Sequence, residues 1–250
     1  MYSITHFDSR ITVDVDFLLC KIPNTPEQLR MVLNEIIAVD TSNNFITFEI
    51  THLAPITITK KYAGVNASLV ARIKNTKTPF SIDFGVGDVI IPKPEKRQIP
   101  TQLNDFIVPT VNTYSLETTV AEKLDAILSF MEFSTRMKDY YDLYYLANKF
   151  DFSSSILAEA LKRTFINRGH YFTAKQFNSV IAFGSDVNMQ KKWRAFCQKI
   201  GTNSEDYNTV LKTINTFLAK PFNAAVTDNN YTEIWSATKG IWSKDEHYGE

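Results

Sequence analysis

Two acids alternate with apolar residues near the start of the chain, Asp14 and Asp16 in I-T-V-D-V-D-F. On an extended strand Val13, Val15 and Phe17 point one way and the two acids the other. Carboxylates at that spacing lie about 7 Å apart at Cα on one face. They can share divalent cations with a triphosphate, which neutralises the phosphates and aligns an attack. Taken alone, D-x-D is explained more simply by a solvated strand face. Asp83 adds weight, because it occupies the polar face of a second short strand whose other face carries Phe80, Ile82 and Phe84. If the two strands are neighbours, three carboxylates converge. The third can bind metal and also accept the proton of an attacking hydroxyl.

A second set of candidates sits on helical sequence. Lys123, in A-E-K-L-D-A, reads either as a surface lysine paired with Glu122 or Asp125, or as a point charge for phosphate. Arg136, Asp139 and Asp142 follow at i,i+3 spacings and can share one helix face. A salt bridge accounts for Arg136 and Asp139. It leaves open why acids fall among Tyr140, Tyr141, Tyr144 and Tyr145, where a buried face is expected. An acid near aromatic surface needs a partner, and Lys123 from the preceding helix is a candidate. Lys162, Arg163, Arg168, Lys191, Lys192 and Arg194 read as solvated helix faces or as an RNA-contacting stripe. His170 is given no role, and Gly184-Ser185 reads as a turn.

The elements that position these groups divide the chain. Strand patterns cover 11–19, 45–50, 55–59, 67–73 and 79–84, with one helix opening at Thr25-Pro26. Residues 92–109 hold four prolines and read as extended, with a short strand at Phe106–Val108. Beyond Ser115, a predicted N-cap, the periodicity is helical: 115–131, 138–149, 154–168, 173–183, 189–200 and 207–218. The polar tail from Asn223 is predicted to form a last helix that packs back through Trp235 and Trp242. With 27 basic and 27 acidic residues, no global field draws nucleic acid, so any such partner must meet a local patch. Cys20 and Cys197 form no metal spacing and point to a reducing compartment. No apolar run reaches the roughly 18 residues of a membrane span, and no signal peptide is evident.

Taken in order, these residues resemble the AbiEii/AbiGii toxin family of nucleotidyltransferases, from bacterial abortive-infection and toxin–antitoxin systems. The family's R-x-T-x-D-x-D strand is matched by Arg10, Thr12, Asp14 and Asp16. Its acid on a hydrophobic strand is matched by Asp83, and its E-K-x-x-A helix by Glu122, Lys123 and Ala126. Its R-x-K-D-x-x-D-L helix is matched by Arg136, Lys138, Asp139, Asp142 and Leu143. The match runs from about Phe7 to Leu146.

The resemblance implies an α+β fold: a polymerase-β-like mixed sheet over 1–112, followed by a helical half over 113–250. It implies transfer of a nucleoside monophosphate from an NTP to RNA, in some family members the 3′ end of tRNA, with Mg²⁺. Asp14, Asp16 and Asp83 would hold metal. Asp83, Lys123 and Asp139 would be catalytic, and Arg10, Thr12, Lys123, Arg136 and Asp142 would contact the nucleotide. The expected partner is a cognate antitoxin, the setting cytoplasmic phage defence. The family carries a Gly-Gly or Gly-Ser turn before the D-x-D strand, and the 13 residues ahead of Asp14 contain no glycine. The expectation is therefore a chain lacking the first strand, the glycine turn and part of the first helix. Two other functions stay open: an inactive relic that binds only antitoxin or RNA, and a nucleotidyltransferase acting on a protein or small molecule.

Overall fold

The computed structural model describes residues 10, 14–40, 45–56, 64–101, 106–133, 136–203, 205–229 and 231–244, apart from the side chains of Asp14 and Glu132. The chain folds as two compact units, one spanning 11–88 and the other combining 1–10 with 89–250. The sequence reading drew its division at 112. Residues 89–112 instead cluster with the helices.

The smaller unit is a four-stranded mixed sheet with one helix. Its strands are β1 (Asp14–Leu18), β2 (Ile46–Pro55), β3 (Val65–Ile73) and β4 (Thr76–Gly85), in the order β1-β4-β3-β2. β1 runs parallel to β4, and the other pairings are antiparallel. The strand that begins in the 45–50 pattern runs on to Pro55, where the second pattern starts. β2 continues through a bulge between Ile50 and His52 because Leu53 and Ala54 go on pairing with Ala67 and Asn66; residues 57–59 lie outside the described residues. Helix α1 (Pro26–Ile37) opens where Thr25 Oγ1 accepts from the Gln28 N–H. Its Leu29 and Leu33 pack on Val65, Ala67, Leu69 and Phe84. The alternation of the strands sends these residues to one face and the polar ones to the other. Val15 and Phe17, on the edge strand, remain half-exposed on the apolar side.

The larger unit begins with a hairpin-like pair, β5 (Glu95–Gln98) and β6 (Thr110–Thr113). The strand expected at Phe106–Val108 is not formed; pairing starts only after Pro109, whose carbonyl accepts from the Ile99 N–H. Six helices follow: α2 (Leu116–Phe130), α3 (Met137–Lys149), α4 (Ser154–Arg168), α5 (Ala174–Ala182), α6 (Val187–Ile200) and α7 (Tyr207–Thr227). Ser115 caps α2 as expected, accepting from the Thr118 N–H and donating to the Ile91 carbonyl. The core joins Leu124 and Ile127 of α2, Leu143 and Leu146 of α3, Leu161 of α4, and Ile214 and Phe217 of α7. Helix α7 runs nine residues past the expected end at Leu218, through Pro221, because Phe222, Ala224 and Ala225 are buried there. Burial of that turn outweighs the lost proline N–H bond.

The tail is a hairpin where a helix was expected. β8 (Glu233–Ser236) pairs with β9 (Ile241–Lys244) and with the short β7 (Phe152–Ser153). The register sets Trp235 opposite Trp242. Their indole N–H groups donate to the Ala147 and Phe217 carbonyls at 2.7 and 3.0 Å. The indoles do pack back on the core, and cross-strand pairing lets both reach it. Among the described residues, no helix is long and apolar enough to cross a membrane.

Candidate active site

The two sets of candidate groups lie in different units and have different surroundings. On the sheet, the parallel register places Asp16 directly beside Asp83, and Asp14 beside Ser81. Paired residues of adjacent strands project to the same side, so Asp16 and Asp83 share the polar face. From the other side β3 places Asn66 opposite Asp83, and the Asn66 amide donates to Asp83 Oδ1 at 2.6 Å. The Ser68 hydroxyl approaches Asn66 Oδ1 at 3.4 Å. Sequence reasoning missed Asn66. Its only signal was its position on the polar face of an otherwise apolar strand, which marks it no more than Ser68.

The helical set is a buried ion network. Arg10 donates to both oxygens of Asp142, from Nε and Nη2, each at 2.8 Å. Lys123 Nζ donates to Asp142 Oδ2 at 2.6 Å and reaches Asp139 Oδ1 at 3.5 Å. Arg136 Nε donates to Asp139 Oδ2 at 2.6 Å. Both acids are buried, while Lys123 and Arg10 keep a small exposed fraction. α2 supplies Lys123 and α3 supplies the acids one turn apart, so packing the two helices brings the charges together. Burial alone would lower the Arg10 pKa. The hydrogen bonds and charge of Asp142, helped by Asp139, raise it above its ordinary value, so Arg10 stays protonated. Beside these acids, burial pushes the Tyr140 hydroxyl up to about 12. Thr12 lies outside the described residues.

Glu122 and Asp125, the neighbours that a surface Lys123 would have used, are engaged elsewhere. Arg168 donates to Glu122 at 2.9 Å and to Asp125 at 3.1 Å, and His170 Nδ1 lies 2.7 Å from Asp125. His170 thus helps tie the end of α4 to α2. Arg163 and Lys162 pair with Glu159 and Asp228. Three cations of the possible RNA stripe are therefore bound to carboxylates.

Among the described residues, no group of three or more His, Cys, Asp or Glu is gathered to hold a metal ion. Asp16 and Asp83 are two hard oxygen donors on adjacent strands. That suits Mg²⁺, which binds through one or two carboxylates plus substrate phosphates. The donor set therefore fits a metal delivered with a nucleotide.

A family profile for the nucleotidyl transferase AbiEii toxin of type IV toxin–antitoxin systems matches residues 2–227. Two Helicobacter pylori crystal structures are similar in fold, each at 14% identity and a TM-score of 0.44. One, provisionally described as a nucleotidyltransferase, aligns over 92% of this chain and 86% of its own. The other, JHP933, aligns over 88% and 83%. Likeness at this level bears on neither substrate nor site. No curated protein matches the sequence.

Proposed function

Because the chain belongs to the AbiEii nucleotidyl transferase toxin family, we propose that it transfers a nucleoside monophosphate from an NTP to an RNA acceptor, the 3′ end of tRNA being the leading candidate. The observation that carries this reading is the register that sets Asp16 beside Asp83 on one sheet face. Asp14, Asp16 and Asp83 are the residues proposed to hold Mg²⁺. Bound there, the ion would neutralise the triphosphate and favour in-line displacement.

In this reading the acceptor hydroxyl oxygen forms a bond to the α-phosphorus, and the bond to the pyrophosphate oxygen breaks. The hydroxyl proton passes to Asp83 Oδ2, and pyrophosphate leaves. Asn66 holds Oδ1 of Asp83 and so orients the other oxygen. Arg10, Lys123 and Arg136 supply positive charge to the phosphates, with Thr12 as a further proposed contact. Asp139 and Asp142 bind those cations directly. Their proposed part is to aim the cations; this takes the place of direct contact with the reacting atoms for Asp139 and of direct contact with the nucleotide for Asp142. The type IV setting of the family implies a cognate antitoxin as partner.

The test is label transfer from an α-labelled NTP to RNA. Asp16→Ala and Lys123→Ala should each reduce it by roughly 10²–10³-fold, the usual cost of losing a group that stabilises transition-state charge. Transfer at the unmodified rate by either variant would reject its assigned role.

A further inference from the structure

Beside the buried acids, the same helix carries a feature that the proposed reaction does not use. Tyr141, Tyr144, Tyr145 and Asn148 stand at i, i+3, i+4 and i+7 on α3 and share one face. Such a stripe ordinarily seats in a core. Here the side chains line a groove of about 390 Å³, with Thr202 and Glu205 from the α6–α7 connection on its other wall. The volume falls in the ordinary range of small-ligand pockets, roughly 300–1,000 Å³.

The groove is stiff on one side and polar at its rim. The Tyr141 ring is backed by Trp193 and Phe196 of α6, with centroids 6.4 and 6.0 Å away. Asn148 is tied to α3 by a 2.7 Å bond to the Tyr144 carbonyl. The groove also borders the ion network. Burial raises the Tyr141 pKa, its hydrogen bond to Thr202 lowers it, and the charges of Asp142 and Arg10 act on it too. Flat aromatic faces beside donor and acceptor side chains, next to cations suited to phosphate, match the parts of a nucleotide. Unpaired bases stack on aromatic rings and present their edges to polar groups.

We propose that this groove is a nucleobase subsite, with a base stacked on Tyr144 or Tyr145 and its edge turned to Asn148, Thr202 and Glu205. The inference rests on the nucleotidyltransferase reading above. The base belongs either to the incoming NTP or to an unpaired end of the RNA acceptor, and the chemistry is the same for both.

Two binding measurements on the full chain separate the sources: titration of each NTP by calorimetry, and titration of a labelled single-stranded RNA tetranucleotide by anisotropy. Tyr144→Ala should weaken one of these ligands by roughly 5- to 100-fold, the range for losing one base–aromatic stack. Tyr144→Phe keeps the ring and should bind like the unmodified chain. Weakened NTP binding alone assigns the groove to the nucleotide, and weakened RNA binding alone to the acceptor. Tyr145→Ala is read alongside, and is decisive if Tyr144→Ala fails to fold. Unchanged binding of both ligands by a folded variant overturns the subsite while leaving the transfer reaction standing. An unmodified chain that binds neither ligand and transfers no label overturns both.

Discussion

Asp16 stands exposed on an edge strand beside Asp83, whereas Asp142 is buried between two helices and accepts three hydrogen bonds from Arg10 and Lys123. The residue type is the same and the consequence is opposite. Asp16 is exposed, so holding its charge costs the fold little, and its carboxylate stays within reach of a cation from solvent. Asp142 has lost that solvation, and only its cations compensate it. Under the proposed function, the exposed Asp16 would take up a ligand, whereas the buried acids would hold their cations in place.

Substitution can break this contrast. The largest expected effect is at Asp142. Asp142→Ala leaves Arg10 without its carboxylate and Lys123 with only the 3.5 Å contact to Asp139, and should cost about 3–5 kcal/mol of stability in urea unfolding. A loss under about 1 kcal/mol would mean that the network is solvated and no different in kind from Asp16. Asp16→Ala, by contrast, should change stability by no more than about 0.5 kcal/mol while removing transfer activity. A strongly destabilised Asp16→Ala would erase the distinction from the other side.

Asn66→Ala sharpens the comparison within the sheet. Loss of the 2.6 Å bond to Asp83 frees the carboxylate to rotate away from the reacting hydroxyl. Label transfer should fall by roughly 10- to 100-fold, the scale of a misplaced catalytic group, and Asn66→Asp should not restore it. Transfer at the unmodified rate would make Asn66 a packing residue only.

The smallest effect concerns a third kind of acid. Asp206 caps α7 and is exposed. The Thr209 hydroxyl first, then the Thr209 and Asn208 N–H groups, lower its pKa from 3.8. Because the folded value lies below the unfolded one, its stabilisation is present above pH 3.8 and is lost as pH falls through the folded value. Asp206→Ala should cost about 1 kcal/mol at neutral pH, with the gap to the unmodified chain closing in acid. A gap independent of pH would show that the cap acts without its charge.

Much of the local structure was legible. Ser115 and Thr25 announce helix starts because a hydroxyl caps N–H groups only three residues away. Alternation around Asp16 and Asp83 assigns faces because successive side chains of a strand point to opposite sides. The pairing of Lys123 with the α3 acids followed from acids set among tyrosines, which need a partner if buried. The tail was misread because short, polar segments with two tryptophans suit either helix or hairpin. The choice was made by contacts with Ala147 and Phe217, far away in sequence. Arg168 gave no local sign that it would leave the solvated face for Glu122 and Asp125.

By itself, then, the sequence determined most of the helices, the polar faces of the strands and the ordered motifs that identify the family, because each depends on residues a few positions apart. Only the tertiary structure decided which charges meet. Arg10 and Asp142 are 132 positions apart, and no periodicity reaches that far. It likewise seated Asn66 against Asp83, opened the tyrosine groove beside Thr202, and carried α7 through Pro221. In each case the deciding quantity is burial, which fixes the cost of leaving a charge, a ring or a backbone group unpartnered and is set by the whole fold at once.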